Sequence, residues 1–243
     1  MMMQANERID DLQRGGLRVI QRADAFRFGT DAVLLADFAA PRRHDRVCDL
    51  GTGTGIIPLL LYARENTISA DAVEIQPDMA DMAARSMAMN GLNEKIRVLP
   101  GDLRSIRTLL PHARYDLVTC NPPYGKAGGT LLNPDASKRL ARHEESCAIE
   151  DVACAAAWLL QNGGRLCCVF PAARMIELSD AMRKYRMAPK RIRMVHSRVE
   201  KAAHLCLMEG MLDARPGLII EPPLVIYDEN NAYTPELRRI YGL

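Results

Sequence analysis

Asp49-Leu-Gly-Thr-Gly-Thr-Gly55 is the stretch on which the reading of this chain turns. It closes Arg46-Val-Cys-Asp-Leu50, an apolar run of strand length, and opens a helical pattern over about Ile56 to Arg64. Glycine at a strand-to-helix turn admits positive φ and lets a ligand touch the backbone with no Cβ in the way. The helix N-terminus beyond it offers unpaired N–H groups. Several nucleotide-binding folds use such a turn, so the spacing matters. Here it is G-x-G-x-G, not the G-x-G-x-x-G that cradles a pyrophosphate, and an acid, Asp49, stands two positions ahead of the first glycine.

Outward from this turn, short apolar runs alternate with helical patterns, which predicts an α/β fold with a mostly parallel sheet covered on both faces. A second strand is expected over Ile68 to Ile75. Pro77 then starts a helix in which Met79, Met82, Ala83 and Met87 recur at helical spacing until Asn90-Gly91. That methionine stripe reads as core packing. Further strands are expected over Ile96 to Leu99, Tyr115 to Cys120, Leu166 to Phe170, Arg191 to Val195 and His204 to Leu212. Helices are expected over Ile149 to Leu160, with Trp158 in the core, and over Arg174 to Tyr185. Ahead of the main unit, Leu17 to Ile20 and Phe26 to Phe28 flank Arg22-Ala-Asp24 as a small hairpin or extended lead-in. With no internal repeat and no long linker, residues 1–243 read as one domain: a lead-in (1–44), a core (about 45–215) and a C-terminal extension (216–243).

Three positions beyond the glycines carry chemistry. Glu74 ends the second strand about 20 residues after the turn, where a carboxylate can accept hydrogen bonds from both hydroxyls of a ribose. Asp102 follows the third strand in the same relative place, suited to an adenine amino group. Open α/β sheets bind ligands at these carboxyl ends. Both acids could also simply cap helices. Asn121-Pro122-Pro123-Tyr124 directly follows the fourth strand. An exocyclic amine or amide nitrogen is a poor nucleophile because its lone pair is delocalised. The Asn121 side-chain oxygen and the Pro122 carbonyl can accept its two hydrogens and free that lone pair. The two prolines hold these acceptors in place, and Tyr124 offers a face for stacking, worth about 1–3 kcal/mol per base. The competing reading is a plain turn.

Composition limits the alternatives. A hydrophobic share of 48% and a charged share of 26% are ordinary for a globular chain, and a net charge of +2 makes no polyanion binder of the whole molecule. Seven scattered cysteines without a C-x-x-C pair read as free thiols of a reducing compartment. No metal site is expected. No apolar run reaches membrane-spanning length, and the polar start lacks a signal-peptide core. The expected location is the cytoplasm.

Taken together, Asp49 to Gly55, Glu74, Asp102 and Asn121-Pro-Pro-Tyr124 resemble the class I S-adenosylmethionine-dependent methyltransferases. That resemblance covers roughly residues 25 to 215. It implies a Rossmann-like, doubly wound, seven-stranded sheet with its last strand antiparallel. It also implies that Asp49, Gly51, Gly53 and Gly55 hold the methionine portion of S-adenosylmethionine, Glu74 the ribose, and Asp102 with Leu103 the adenine. Asn121 would then face the donor methyl group.

The motif does not choose between a base and a glutamine side chain, since both present an N–H₂ group. Glutamine methyltransferases acting on release factors carry a helical domain ahead of the catalytic one, for which the lead-in is too short. Guanine-N2 methyltransferases of the ribosome often carry a second, degenerate copy, and none is present. Phe26-Arg-Phe-Gly-Thr-Asp-Ala-Val-Leu-Leu-Ala36 and the C-terminal region through Tyr227 are similar instead to bacterial tRNA adenine-N6 methyltransferases acting beside the anticodon of a valine tRNA. The resemblance implies that Phe28, Thr30 and Asp31 help close the cofactor pocket. Ala141-Arg-His-Glu144 departs from that pattern; His143 there reads as a capping or surface residue, and His196 and His204 as fold or surface residues.

Arg183, Lys184, Arg186, Lys190, Arg191, Arg193, Arg198 and Lys201 crowd one stretch in which Glu200 is the only opposing charge. They could neutralise RNA phosphates, or form a solvated helix end and edge strand. Lys126 is placed for a phosphate near the target base, which must be turned out of its stack to reach Asn121. The expectation is an N6-adenosine tRNA methyltransferase. A protein glutamine methyltransferase, a guanine-N2 rRNA methyltransferase and a noncatalytic binding module stand as alternatives.

Overall fold

The computed structural model describes residues 4, 6–22, 29–123 and 149–243. Its centre is one sheet, built from β3 (Arg46–Leu50), β4 (Ser69–Glu74), β5 (Ile96–Pro100), β6 (Tyr115–Cys120), β7 (Leu160–Pro171), β8 (Met187–His196) and β9 (Ala203–Leu212). In space the order is β8-β9-β7-β6-β3-β4-β5. The strands from β7 to β5 run parallel, and β9 lies antiparallel between β7 and β8. The reversed last long strand is therefore present.

Two short strands, β10 (Ile219–Ile220) and β11 (Leu224–Val225), extend the sheet to nine by pairing parallel with β8. Pro222 and Pro223 separate them, and a residue without an N–H cannot continue a ladder. The edge is thus paired in two pieces, which an apolar-run reading does not detect.

Helices cover both faces. On one lie α1 (Thr30–Ala39), α2 (Ile56–Arg64), α3 (Pro77–Met89) and the C-terminal helix, whose Leu34, Leu59, Met87 and Leu237 pack on Val47, Leu117 and Val169. On the other lie α4 (Ile106–Leu109), α5 (Ile149–Leu159) and α6 (Met175–Lys184), which bring Val152, Leu159, Leu178 and Met182 onto Cys48, Val118 and Phe170. The last helix is α7 (Pro235–Tyr241), started by Thr234, whose hydroxyl accepts from the Leu237 N–H. Met82, Ala83 and Met87 are buried, as the stripe predicts, but Met79 at the start of α3 is half-buried and lines a cleft beside Gly51 to Thr54; Trp158 is half-buried, donating to the Leu110 carbonyl at 3.1 Å.

Several boundaries differ from expectation. The lead-in contains α1, whose Ala32 to Ala36, Phe38 and Ala39 are all buried. A helix apolar on nearly every side has no amphipathic period to read. β7 starts at Leu160 instead of Leu166, because a register shift opposite Tyr115 and Leu117 absorbs Gln161 to Gly164, with Gly163 at φ 77°. The N-terminal hairpin pairs β2 (Arg18–Arg22) with β1 (Glu7–Asp11), upstream of the expected partner; Phe26 to Phe28 lie outside the described residues. β2 is also tied to α3: the Ile20 N–H donates to Ser86 Oγ and the Arg18 N–H to Asn90 Oδ1, both at 2.9 Å. This contact brings the hairpin to the carboxyl ends of the parallel strands. No helix among the described residues is long and apolar enough to cross a membrane.

Candidate active site

β3 ends in a left-handed turn, with φ of 70° at Gly51, 56° at Gly53 and 84° at Gly55. The Gly51 and Thr52 N–H groups donate to the Val73 carbonyl at 2.9 and 3.0 Å, which straps the turn to β4. The glycines do different work. A Cβ added at Gly51 or Gly53 meets nothing within 4 Å and would project into open space. At Gly55 it would stand 2.5 Å from Met87 Cε and 3.3 Å from Ala83 Cβ, so this glycine lets α2 start against α3.

The open space is a cleft of about 250 Å³. Gly51, Thr52, Gly53 and Thr54 line it together with Asn121, so the turn after β3 and the residue after β6 face one cavity. Gln21 and Arg22 of the hairpin, and Gly29 and Ala32 at the start of α1, complete it. The sequence reading missed the hairpin's part, because only the contact with α3 carries Gln21 and Arg22 there.

Asp49 is fully buried beneath the turn. Its Oδ1 accepts from the Thr119 hydroxyl at 2.6 Å across the β3–β6 pairing. Its Oδ2, and the neighbouring Thr52 Oγ1, are buried without a hydrogen-bond partner. Burial pushes the Asp49 carboxyl up to about 7, against the pull of the Thr119 hydroxyl and of the nearby Thr52 hydroxyl. Thr119 carried a signal that went unread, a polar residue inside the buried run Tyr115 to Cys120.

Glu74 is also buried; its Oε2 accepts from the Gly53 N–H and its Oε1 from the Gln76 N–H, each at 2.8 Å. It therefore holds the glycine turn in shape, and each oxygen retains a further acceptor site. Asp102 caps a single 3₁₀ turn by accepting from the Arg104 N–H at 2.9 Å, and the Arg104 guanidinium also binds its carboxylate. These hydrogen bonds hold the Asp102 carboxyl below its ordinary value. The capping role is thus realised at Asp102, beside a half-buried Leu103.

Asn121 is half-buried, Pro122 buried and Pro123 exposed; Tyr124, Lys126 and His143 lie outside the described residues, as does Phe28. Thr30 and Asp31 open α1 between two cleft-lining residues. The Tyr241 and Thr30 hydroxyls are 3.2 Å apart, and Asp31 is within electrostatic reach of His204.

The basic cluster is less one-sided in the fold than along the chain. The fold brings to it carboxylates that a count along the chain misses. Lys184 pairs with Glu150 at 2.6 Å, Arg193 with Glu236 at 2.8 Å, Arg186 with Asp213, and Arg191 with Glu209 and Glu221. Lys190 donates to the Arg215 carbonyl. Arg183 is exposed on the last turn of α6. Through the strand register Arg191 is level with Thr119 but three strands away, about 14 Å at ordinary strand spacing.

The cleft suits a ligand with an adenosyl group and an amino-acid end. Among the described residues Asp49 Oδ2 keeps acceptor capacity beside the Thr52 hydroxyl, two glycines leave their Cβ space free, and Glu74, bonded to the turn, retains acceptor capacity. Among the described residues no group of three or more His, Cys, Asp or Glu could hold a metal ion.

Comparison with known proteins agrees with this geometry. The family model for the methyltransferase small domain matches residues 23–191. A Porphyromonas gingivalis protein named tRNA1(Val) (adenine(37)-N6)-methyltransferase is 32% identical over 231 residues, covering 90% of this chain and 89% of the relative. A Tolumonas auensis protein of the same name is 34% identical over 216 residues, with 87% and 86% covered. A crystal structure described as a predicted O-methyltransferase from Agrobacterium tumefaciens superposes with a TM-score of 0.73 at 24% identity, over 88% of this chain and 96% of that one, and so shares the fold. The chain belongs to the methyltransferase small domain family and is an S-adenosylmethionine-dependent methyltransferase.

Proposed function

We propose that this chain methylates the exocyclic N6 of an adenosine in tRNA, beside the anticodon, and that residues 1–243 act as one domain. The observation that carries the reading is the shared cleft: Asn121 lines the same cavity as the turn from Gly51 to Thr54. The names of the relatives supply the substrate class.

S-adenosylmethionine, when bound, supplies an electrophilic methyl group on a sulfonium. The residues of this chain do the rest. Asp49, Gly51 and Gly53 hold the methionine portion, with Gly55 letting α2 start close behind them, Glu74 holds the ribose, and Asp102 with Leu103 the adenine. Thr30 and Asp31, with Phe28, close the pocket from the N-terminal side. Asn121 Oδ1 and the Pro122 carbonyl accept the two N6 hydrogens, which localises the nitrogen lone pair and aims it. Orientation of this kind supplies most of the rate in an in-line displacement. Pro123 stiffens the backbone, Tyr124 stacks on the extruded base, and Lys126 meets a phosphate beside it. The nitrogen gains the methyl group and releases a proton to solvent, so no strong base is required.

Labelled methyl donor incubated with bulk tRNA and the enzyme should yield N6-methyladenosine on nucleoside digestion. Label recovered only in protein, as methylated glutamine, would overturn the RNA reading. Asn121→Ala should abolish transfer while leaving donor affinity within a few-fold. A large loss of donor binding instead would remove Asn121 from the transfer step.

A further inference from the structure

The strands whose carboxyl ends lead into the glycine turn, Glu74, Asp102 and Asn121 begin at a second concavity. A cleft of about 380 Å³ opens among the starts of β3, β4, β5 and β6 and the segment leading into β6. Strands of five or six residues rising about 3.3 Å per residue place it roughly 15–20 Å from the glycine turn, at the opposite end of the sheet.

Its charges do not balance. Arg46, Lys95, Arg97 and Arg114 line it, against Asp71 and Glu94. Asp71 is already engaged: Arg97 Nε donates to its Oδ1 at 2.7 Å, and the Tyr115 hydroxyl donates to its Oδ2. Arg46, Lys95 and Arg114 are exposed, and none forms an ion pair among the described residues. Elsewhere in the molecule exposed cations such as Lys184 and Arg186 have found carboxylates. Three unpaired cations around one concave surface raise the local potential, and low-dielectric walls focus it. Val47, Ala70 and Tyr115 supply buried neighbours for such walls.

We propose that this cleft binds a phosphate-bearing anion. Two arginine forks with free guanidinium groups match phosphate geometry, a lysine adds a point charge, and Ser69 and Asn93 supply neutral polar groups. The volume exceeds that of a lone phosphate and falls within the range of small-ligand sites. The phosphate has two sources, a free nucleotide or the backbone of an RNA. The site stands independently of the tRNA reading, because its residues take no part in the donor cleft.

The test uses inorganic pyrophosphate as the probe, with the donor cleft saturated by S-adenosylhomocysteine. Titration calorimetry on the full chain should show saturable binding that weakens at least tenfold in Arg46→Gln/Arg114→Gln and in Lys95→Gln. Unfolding midpoints check that the variants fold, and S-adenosylhomocysteine affinity should be unchanged. No pyrophosphate binding to the wild type at millimolar concentration, or equal binding to the variants, would sink the proposal. A salt series with tRNA then separates the sources. A weaker, shallower dependence in the double variant, its log–log slope reduced by about one to two units, identifies RNA phosphates. An unchanged slope with pyrophosphate binding lost identifies a free nucleotide.

Discussion

Asp49 is a buried acid with fewer hydrogen bonds than an ionised carboxylate can accept. One carboxylate oxygen receives the Thr119 hydroxyl, the other is buried with no partner, and burial pushes the group up to about 7. In the unfolded chain the same carboxyl titrates near its ordinary 3.8. Between these values the folded protein binds the proton more tightly, so this group's contribution to stability is full below about pH 4 and is lost as pH rises through 7. Asp49→Asn removes the penalty. Without cofactor, the variant should gain on the wild type as pH rises from about 4 to about 7 and level off above, with a ceiling on the order of 4 kcal/mol. Urea unfolding at pH 5 and pH 8 measures the gap, and a gap that does not change with pH rejects the account. The same substitution should weaken S-adenosylmethionine binding, because the ligand loses an ionised partner.

At the level of the element, the glycine turn separates two roles that spacing alone merges. Both Gly51 and Gly55 have positive φ, so Ala is strained at either by roughly 1–2 kcal/mol. Only at Gly55 does the added methyl also meet Met87 and Ala83 of α3. Gly55→Ala should therefore lower the cofactor-free unfolding temperature more than Gly51→Ala, while Gly51→Ala falls on space left for the ligand. The reverse order of unfolding temperatures would refute this division. The placement of the turn, Glu74, Asp102 and Asn121 at or just beyond the ends of parallel strands was legible in the sequence, because each breaks a run of apolar residues. α1 was not, since a helix buried on nearly every side lacks the periodicity that marks helices at a surface. Nor was the hairpin's share of the cleft, which depends on Ser86 and Asn90 of α3 capturing β2 from far along the chain.

Across the whole molecule, Arg191 of the basic stretch also braces the fold, together with Arg165 of β7. Arg165 donates to the Ala39 carbonyl at 3.0 Å and Arg191 to the Phe38 carbonyl at 2.9 Å, so two guanidinium groups meet the negative end of α1. Glu209 lies between them, 3.1 Å from Arg165 and 3.0 Å from Arg191. No linear window contains this triad, because β7, β8 and β9 each contribute one member. α1 begins at the donor cleft and ends at the triad, which joins the cofactor site to the far strands of the sheet. Burial would raise the Glu209 carboxyl, but Arg191 and Arg165 hold it below its ordinary value, the opposite sign to Asp49. Its contribution is therefore present above the ordinary carboxylate range and lost as pH falls through the lowered value. Glu209→Gln leaves the buried Arg165 and the half-buried Arg191 short of their shared anion, with Asp45 and Glu221 still in place, so the loss should stay below the roughly 3–5 kcal/mol of a fully broken buried pair. The loss should be full at pH 8 and shrink as pH falls through the lowered Glu209 value, in the acidic range where Asp49→Asn has no effect. Urea unfolding of both variants across pH tests the opposition. Parallel pH profiles would mean that one of the two carboxylates is not in the charge state assigned to it here.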